Sequence, residues 1–184
     1  MGNFGFNKLR NLAIILRDKY NITHFIETGT HKGHTTRWAA NEFQWVTTIE
    51  INLAFYHDNL NNNLNNVYFV YGDSRVKLAE ILEGVHPPAL VWLDAHNPIK
   101  YDKSFSPKDR CPLRQELKAL QPYRHFIFID DARYYKGKGQ WPSKNEIREL
   151  LPERYEMVVK EDVIICVPSE IMKVVKDYFN NVAF

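Results

Sequence analysis

Five apolar runs in this 184-residue chain each end in a carboxylate: ITHFIE at Glu27, WVTTIE at Glu50, VYFVYGD at Asp73, ALVWLD at Asp94 and HFIFIDD at Asp130 and Asp131. Surface loops carry scattered acids, but an acid after every one of five such runs is a pattern. The first run leads into ETGTHKGHTT, whose glycines Gly29 and Gly33 allow backbone to approach a ligand closely and a following helix to pack tightly. A phosphate-binding P-loop needs four residues between its glycines and a lysine after the second; here three residues intervene and His34 follows. A dinucleotide fingerprint needs G-x-G-x-x-G, and Thr30 and His31 break it.

The elements that must position these residues alternate. Apolar residues at Leu9, Leu12, Ile15 and Leu16 predict an amphipathic helix over 7–20. Strands follow over 22–27, 45–50, 67–72, 89–94 and 125–130, with helices over 34–43, 53–64, 75–84 and 112–121. The Asn-rich stretch 59–66 has little helix propensity and frays into a loop. The last third reads as helix 144–151, strands 155–160 and 162–167, and helix 169–179. Serial strand–helix units argue for a parallel sheet covered on both faces. The last two strands are joined only by residues around Glu161 and Asp162, too few for a crossover, so one of the pair is antiparallel. In such sheets ligands bind at the carboxyl ends of the strands, where the acid series gathers.

ETGTHKGHTT, TTIEIN and GDS, in this order and spacing, resemble the S-adenosylmethionine (SAM) site of a Rossmann-like (class I) methyltransferase. The resemblance covers nearly the whole chain. It implies a single domain over 1–184, a three-layer α/β/α sandwich with a seven-stranded, mostly parallel sheet and an antiparallel last strand. It further implies a cofactor site of Glu27, Thr28, Gly29, Thr30, Gly33, Thr35, Glu50, Ile51, Asp73, Ser74 and Asp94. In that family the glycine loop wraps the methionine part, the second-strand acid accepts both ribose hydroxyls and the third-strand acid accepts from the adenine amine; these roles carry over to Gly29 and Gly33, Glu50 and Asp73. A carboxylate suits them because it is acceptor-only when ionised.

LVWLDAH and FIFIDDAR narrow the resemblance to the metal-dependent O-methyltransferases, of the macrocin or sugar type and of the catechol type. That match implies a magnesium ion held by Asp94, Asp130 and Asp131. Three converging carboxylates repel one another unless a cation neutralises them, and a hard divalent ion is the simplest remedy. The other reading of Asp94 is that it positions the SAM amino group, with Asp131 solvated. His96, two residues on, could take the proton of an attacking hydroxyl, or simply touch substrate; the catechol type uses a lysine in this loop, and none occurs here before Lys100. The catalytic candidates are therefore Asp94 and His96. His31 and His34 have backbone roles with side chains facing solvent.

Two long connections, 95–111 and 132–142, leave strand carboxyl ends and overhang the site. The second, ARYYKGKGQWP, carries Arg133, Tyr134, Tyr135, Lys136, Lys138 and Trp141, a basic and aromatic set suited to a sugar ring or an anionic group. No N-P-P-[YF] signature of base-amine methylation follows the fourth strand, and a net charge of +2 with pI near 8.4 is too mild to imply nucleic acid as main partner. Two cysteines, Cys111 and Cys166, build no disulfide framework, which points to a reducing, cytoplasmic setting. No secretory leader, myristoylation pattern or membrane span is read, so no membrane partner is expected, while a homo-oligomer is possible. The expected activity is metal-assisted O-methylation of a small molecule or sugar. Two alternatives stay open: a SAM- or nucleotide-binding module without catalysis, and different metal-assisted chemistry on the same fold.

Overall fold

A computed structural model describes residues 7–97 and 110–181. Helix α1 (Asn7–Tyr20) precedes strand β1 (His24–Thr28), α2 (His34–Glu42), β2 (Trp45–Glu50), α3 (Leu53–Leu60), β3 (Val67–Tyr71), α4 (Ser74–Leu82), β4 (Leu90–Leu93), α5 (Leu113–Leu120) and β5 (Phe126–Ile129). A 3₁₀ turn (Ala132–Tyr134) and two short strands, β6 (Lys136–Lys138) and β7 (Trp141–Ser143), follow; α6 (Lys144–Leu150), β8 (Tyr155–Lys160), β9 (Val163–Pro168) and α7 (Ser169–Asn181) complete the chain. The main sheet has seven strands in the order β3-β2-β1-β4-β5-β9-β8, and β6 and β7 pair separately. Strand β9 is antiparallel to both β5 and β8, so the last strand alone runs against the rest. Glu161 and Asp162 close the β8–β9 hairpin with both φ angles positive (51° and 61°), the conformation a two-residue turn demands.

Alternation along the strands builds two cores. Phe25, Val46, Trp92, Phe126, Phe128 and Ile165 face α1 and α7 through Leu9, Leu12, Leu16, Met172 and Val175. Ile26, Ile49, Val91, Leu93, Ile127 and Ile164 face α4, α5 and α6 through Leu78, Leu82, Leu117, Leu120 and Ile147. Trp92 is fully buried, so Trp92→Ala would cost about 3–5 kcal/mol. The stripe of α1 runs through Leu9, Leu12, Ala13 and Leu16, whereas Ile15, placed on it from sequence, is 39% exposed. Ala13, four residues after Leu9, lies on the buried face, and Ile15 falls about 100° to one side of Leu16.

Most expected boundaries shift by one to two residues. Helix α3 stops at Leu60, where the Asn-rich stretch begins to fray, and Asn52 caps its start by accepting from the N–H groups of Ala54 and Phe55 (3.0 and 3.3 Å). The connection 132–142 is corrected more substantially. It is not an open loop but a 3₁₀ turn and hairpin, because Gly137 and Gly139 adopt φ of 73° and 62° and Lys138 pairs with Trp141. Of the connection 95–111, residues 98–109 lie outside the described residues. No helix among the described residues is long and apolar enough to cross a membrane.

Candidate functional site

The glycine loop lies against the end of β4, across the switch point where the chain leaves β1 for β2 on one side and β4 sits on the other. Gly29 has φ of 85°, and a Cβ there would stand 2.5 Å from the carbonyl oxygen of Asp94, so only glycine permits this approach. Its N–H donates to the carbonyl of Ile49 at 2.9 Å, tying the loop to β2. Gly33 (φ 69°) caps α2 without any side-chain acceptor, so the first-turn N–H groups, that of the half-buried Thr35 among them, have no capping side chain. A Cβ on Gly33 would collide with the side chain of Asn59, which in turn donates to the carbonyl of His31 at 2.7 Å. The side chains of His31 and His34 are exposed, and the His31 ring meets Phe55 edge-on at 4.5 Å.

The acids of the first three strands are already supported by the protein. Glu27 is 2% exposed and accepts from the hydroxyls of Thr36 (2.5 Å) and Thr48 (2.7 Å); Thr48 also shares a 2.6 Å hydrogen bond with Thr30. Burial pushes its carboxyl from 4.5 up to about 7, an effect the two threonine hydroxyls partly offset and neighbouring Glu50 adds to. Glu50 accepts the N–H of His31 on one oxygen (2.7 Å) and that of Asn52 on the other (2.8 Å). Each oxygen still has a lone pair for a ribose hydroxyl. Ile51 beside it is 39% exposed, an apolar surface where an adenine could lie. Asp73 caps α4 through the N–H of Arg75 (3.0 Å) and pairs with the Arg75 guanidinium at 2.7 Å, so an adenine amine would have to share it.

The second acid cluster is assembled from β4, β5 and the small hairpin. Asp130 is fully buried and accepts the N–H of Asp131 at 2.7 Å. Asp131 sits in the left-handed region (φ 57°, ψ 46°), a conformation its short polar side chain tolerates. One of its oxygens meets Nε2 of His96 at 3.0 Å and the other meets Arg133 at 2.7 Å. Burial opposes ionisation of Asp131, but the hydrogen bond and charge of His96, with Arg133, outweigh it and hold the carboxyl below its ordinary value. Asp94 differs. Its side chain is 25% exposed, and burial, Asp130, Asp131 and Glu27 together push its carboxyl well above 3.8.

His96, which the sequence offers either as a proton acceptor or as a loop histidine touching substrate, is buried beside Asp131. Its side chain is 3% exposed, with Nε2 on Asp131 and Nδ1 3.4 Å from the hydroxyl of Tyr135. A proton on Nε2 satisfies Asp131 and leaves Nδ1 to accept from Tyr135, so both ring nitrogens are engaged. Trp141 closes the remaining side at 5.4 Å. His96 thus orients Asp131 and lies 3.8 Å from Asp94, the more accessible carboxylate.

The resemblance implies magnesium at Asp94, Asp130 and Asp131, three oxygen donors whose repulsion requires relief. Repulsion is present at Asp94, yet at Asp131 relief comes from His96 and Arg133, and both Asp131 oxygens are taken. Among the described residues no three His, Cys, Asp or Glu side chains stand in an arrangement that would hold an ion. The donor chemistry suits a hard cation, and as folded Asp131 gives one oxygen to His96 and the other to Arg133.

The sequence pattern places Glu116 simply within a helix. It is 2% exposed on the buried stripe of α5; its carboxyl is bonded by the hydroxyls of Ser74 and Thr28, leaving Oε1 without a hydrogen-bond partner, and burial raises its pKa. Thr28 also accepts the N–H of Asp94 at 3.3 Å, so Glu116 braces the floor beneath the strand ends. The signal was in LRQELKAL: Leu113, Glu116, Leu117 and Leu120 share one helical face, and an acid on an apolar stripe needs a partner.

A sheet of this order, with its glycine loop at β1 and acids at the ends of β2 to β5, is that of a class I SAM-dependent methyltransferase fold. The chain is similar to an O-methyltransferase from Bacillus cereus in complex with SAH (TM-score 0.60, 16% identity, 88% of this chain and 80% of that one). It is also similar to the O-methyltransferase TomG from Streptomyces achromogenes, involved in tomaymycin synthesis and solved with SAM (0.52, 16%, 84% and 76%). A third likeness is to the N-methyltransferase NodS from Bradyrhizobium japonicum (0.51, 12%, 89% and 97%). No protein-family model matches the chain, and no curated protein matches it in sequence.

Proposed function

We propose that this chain is a SAM-dependent methyltransferase that methylates a hydroxyl of a small-molecule or sugar acceptor. The observation that carries the reading is the meeting of Gly29 with Asp94: the cofactor loop packs on the very residue whose carboxyl is raised and partly exposed. When bound, SAM supplies an electrophilic methyl group on a cationic sulfur and leaves as the neutral sulfide. Glu50 holds the ribose hydroxyls, Ile51 backs the adenine, and the uncapped start of α2 with Thr35 receives the carboxylate of the methionine part. Asp94 faces the acceptor hydroxyl and takes its proton, a role its raised pKa favours. Asp131, fixed by His96 and Arg133, and the buried Asp130 keep that corner negative, which favours a cationic cofactor. In-line positioning of the two reactants can contribute roughly 7–11 kcal/mol without covalent help from the protein.

Metal assistance is the finer part of the proposal. Magnesium at Asp94, Asp130 and Asp131 would acidify the acceptor hydroxyl as a Lewis acid, and would require Asp131 to give up His96 and Arg133. The aromatic and basic rim of Arg133, Tyr134 and Trp141 suits a sugar or aryl ring next to the acids, with Arg133 stacked 4.6 Å over Tyr134 and Tyr134 5.2 Å from Trp141. Calorimetry with SAM and with S-adenosylhomocysteine tests the cofactor. A panel of sugars, nucleotide sugars and catechols, with mass detection of one added methylene and with chelator or magnesium, tests the reaction. Failure of either cofactor form to bind would end the reading; transfer that survives exhaustive chelation would remove the metal from it.

A further inference from the structure

The two edges of the main sheet are built differently. Strand β8 carries Glu156 and Lys160; Glu156 pairs with Lys176 of α7 at 3.1 Å, and Lys160 lies 5.5 Å over the ring of Phe179. Charges and a covering helix of this kind keep an edge from recruiting another strand. Strand β3, at the opposite end, reads V-Y-F-V-Y and has no charge, proline or glycine over Val67–Tyr71. The N–H of Gly72 donates to the carbonyl of Glu50 at 2.9 Å, which puts the even-numbered backbone groups on the β2 side. By the two-residue period, the N–H and C=O groups of Phe69 and Tyr71 therefore point outward. Around this edge Tyr68 is 72% exposed, Val76 56%, Trp45 53% and Tyr71 48%.

We propose that β3 pairs antiparallel with β3 of a second copy of this chain about a two-fold axis at Phe69, joining two seven-stranded sheets into one continuous sheet. The sequence is self-complementary in that register. Phe69 meets its own counterpart as a hydrogen-bonded pair, Tyr68 lies opposite Val70 of the second copy, and Val67 lies opposite Tyr71 of the second copy. Aromatic residues facing β-branched ones are favourable cross-strand neighbours, and no like charges meet. Two-fold pairing also satisfies the outward groups of both copies at once and leaves neither edge open to further addition, because the remaining edges are the guarded β8 strands.

Sedimentation of the full chain over about 1 to 100 μM, the range in which weak dimers dissociate, reads the proposal directly. The wild type should be dimeric at the upper end. Tyr68→Lys should raise the dissociation constant at least about tenfold with an unchanged circular dichroism spectrum, since Tyr68 is 72% exposed and a lysine is a common guard of edges. Val159→Lys, at a 38% exposed position of β8, should leave the dimer intact. A wild type that stays monomeric overturns the proposal. So does a Tyr68→Lys protein that dimerises like wild type, or dissociation caused by Val159→Lys instead.

Discussion

The ends of β1 to β3 and the ends of β4 and β5 both present carboxylates, but they hold them in different ways. At the ends of β1 and β2 the acceptors are met by backbone N–H groups and hydroxyls of neighbouring strands and turns: His31 and Asn52 on Glu50, Thr36 and Thr48 on Glu27. In the second group the partners are side chains from the hairpin after β5 and the loop after β4: Arg133 and His96 on Asp131, Tyr135 behind His96, with Asp94 reached by His96 only at 3.8 Å. Asp73 is the exception in the first group, paired with Arg75 at 2.7 Å; the neutral donors at Glu27 and Glu50 fix geometry without cancelling charge, which suits a half that grips a ligand. An ion-paired cluster with one carboxyl raised suits a half that moves a proton.

The largest expected effect lies at the loosely held acid. Asp94→Asn keeps the shape and one acceptor but cannot take a proton, so turnover should fall by about 10²–10⁴ while the fold and SAH binding persist. Turnover within twofold of wild type would move proton acceptance elsewhere in the cluster. Next comes Glu50→Ala in the other half. Two charge-assisted bonds to ribose, each worth about 1.5–3 kcal/mol, go with the carboxylate, and so do the supports of the His31 and Asn52 N–H groups. SAM affinity measured calorimetrically should drop at least about tenfold, and unchanged affinity would separate Glu50 from the cofactor.

A third effect sharpens the comparison through pH. The Glu27 carboxyl stands at about 7 in the folded chain against 4.5 ordinarily, so between those values the folded state holds the extra proton. Stability therefore falls as pH rises from about 4.5 to 7, by up to about 3 kcal/mol, and no further above that. Asp94, also raised, acts in the same direction; Asp131, lowered, loses its contribution only as pH falls below its ordinary value, outside this window. Urea unfolding of the ligand-free protein at pH 5 and pH 8 should show the decline, and Glu27→Gln should flatten part of it. A slope unaffected by Glu27→Gln would place the ionisation elsewhere.

Periodicity and turn chemistry made the sheet legible, including the two-residue hairpin at Glu161 and Asp162 and the strand at 155–160, because these depend on local patterns. The acids were legible as well, since each ends an apolar run. What the chain does with them in the second half was not. The left-handed turn at Asp131 and the closing of 136–143 into a hairpin bring Arg133, Tyr135 and Trp141 around His96, and spacing in the sequence carries no trace of which ring nitrogen meets which oxygen. Glu116 was readable in principle, as an acid on the apolar face of α5, but its partners Thr28 and Ser74 lie on other elements.

The smallest effect belongs to Tyr135. Its hydroxyl lies 3.4 Å from Nδ1 of His96, a long hydrogen bond in a buried setting, and its ring is held at 5.5 Å by Trp141. Tyr135→Phe keeps the ring and removes the donor, which leaves Nδ1 of a buried histidine unpaired and costs about 1–3 kcal/mol of stability at most. With the hydroxyl gone, the His96 ring is less firmly held, and so is the Asp131 carboxylate it meets beside Asp94. Asp131 is one of the charges that raise the Asp94 carboxyl, so the acid limb of the pH–rate profile should shift while SAM affinity stays within about twofold, the cofactor contacts being on the other half. A shift in SAM affinity without a shift in the pH profile would show that the two halves are not divided as drawn, and that the His96 cluster serves the cofactor rather than the proton.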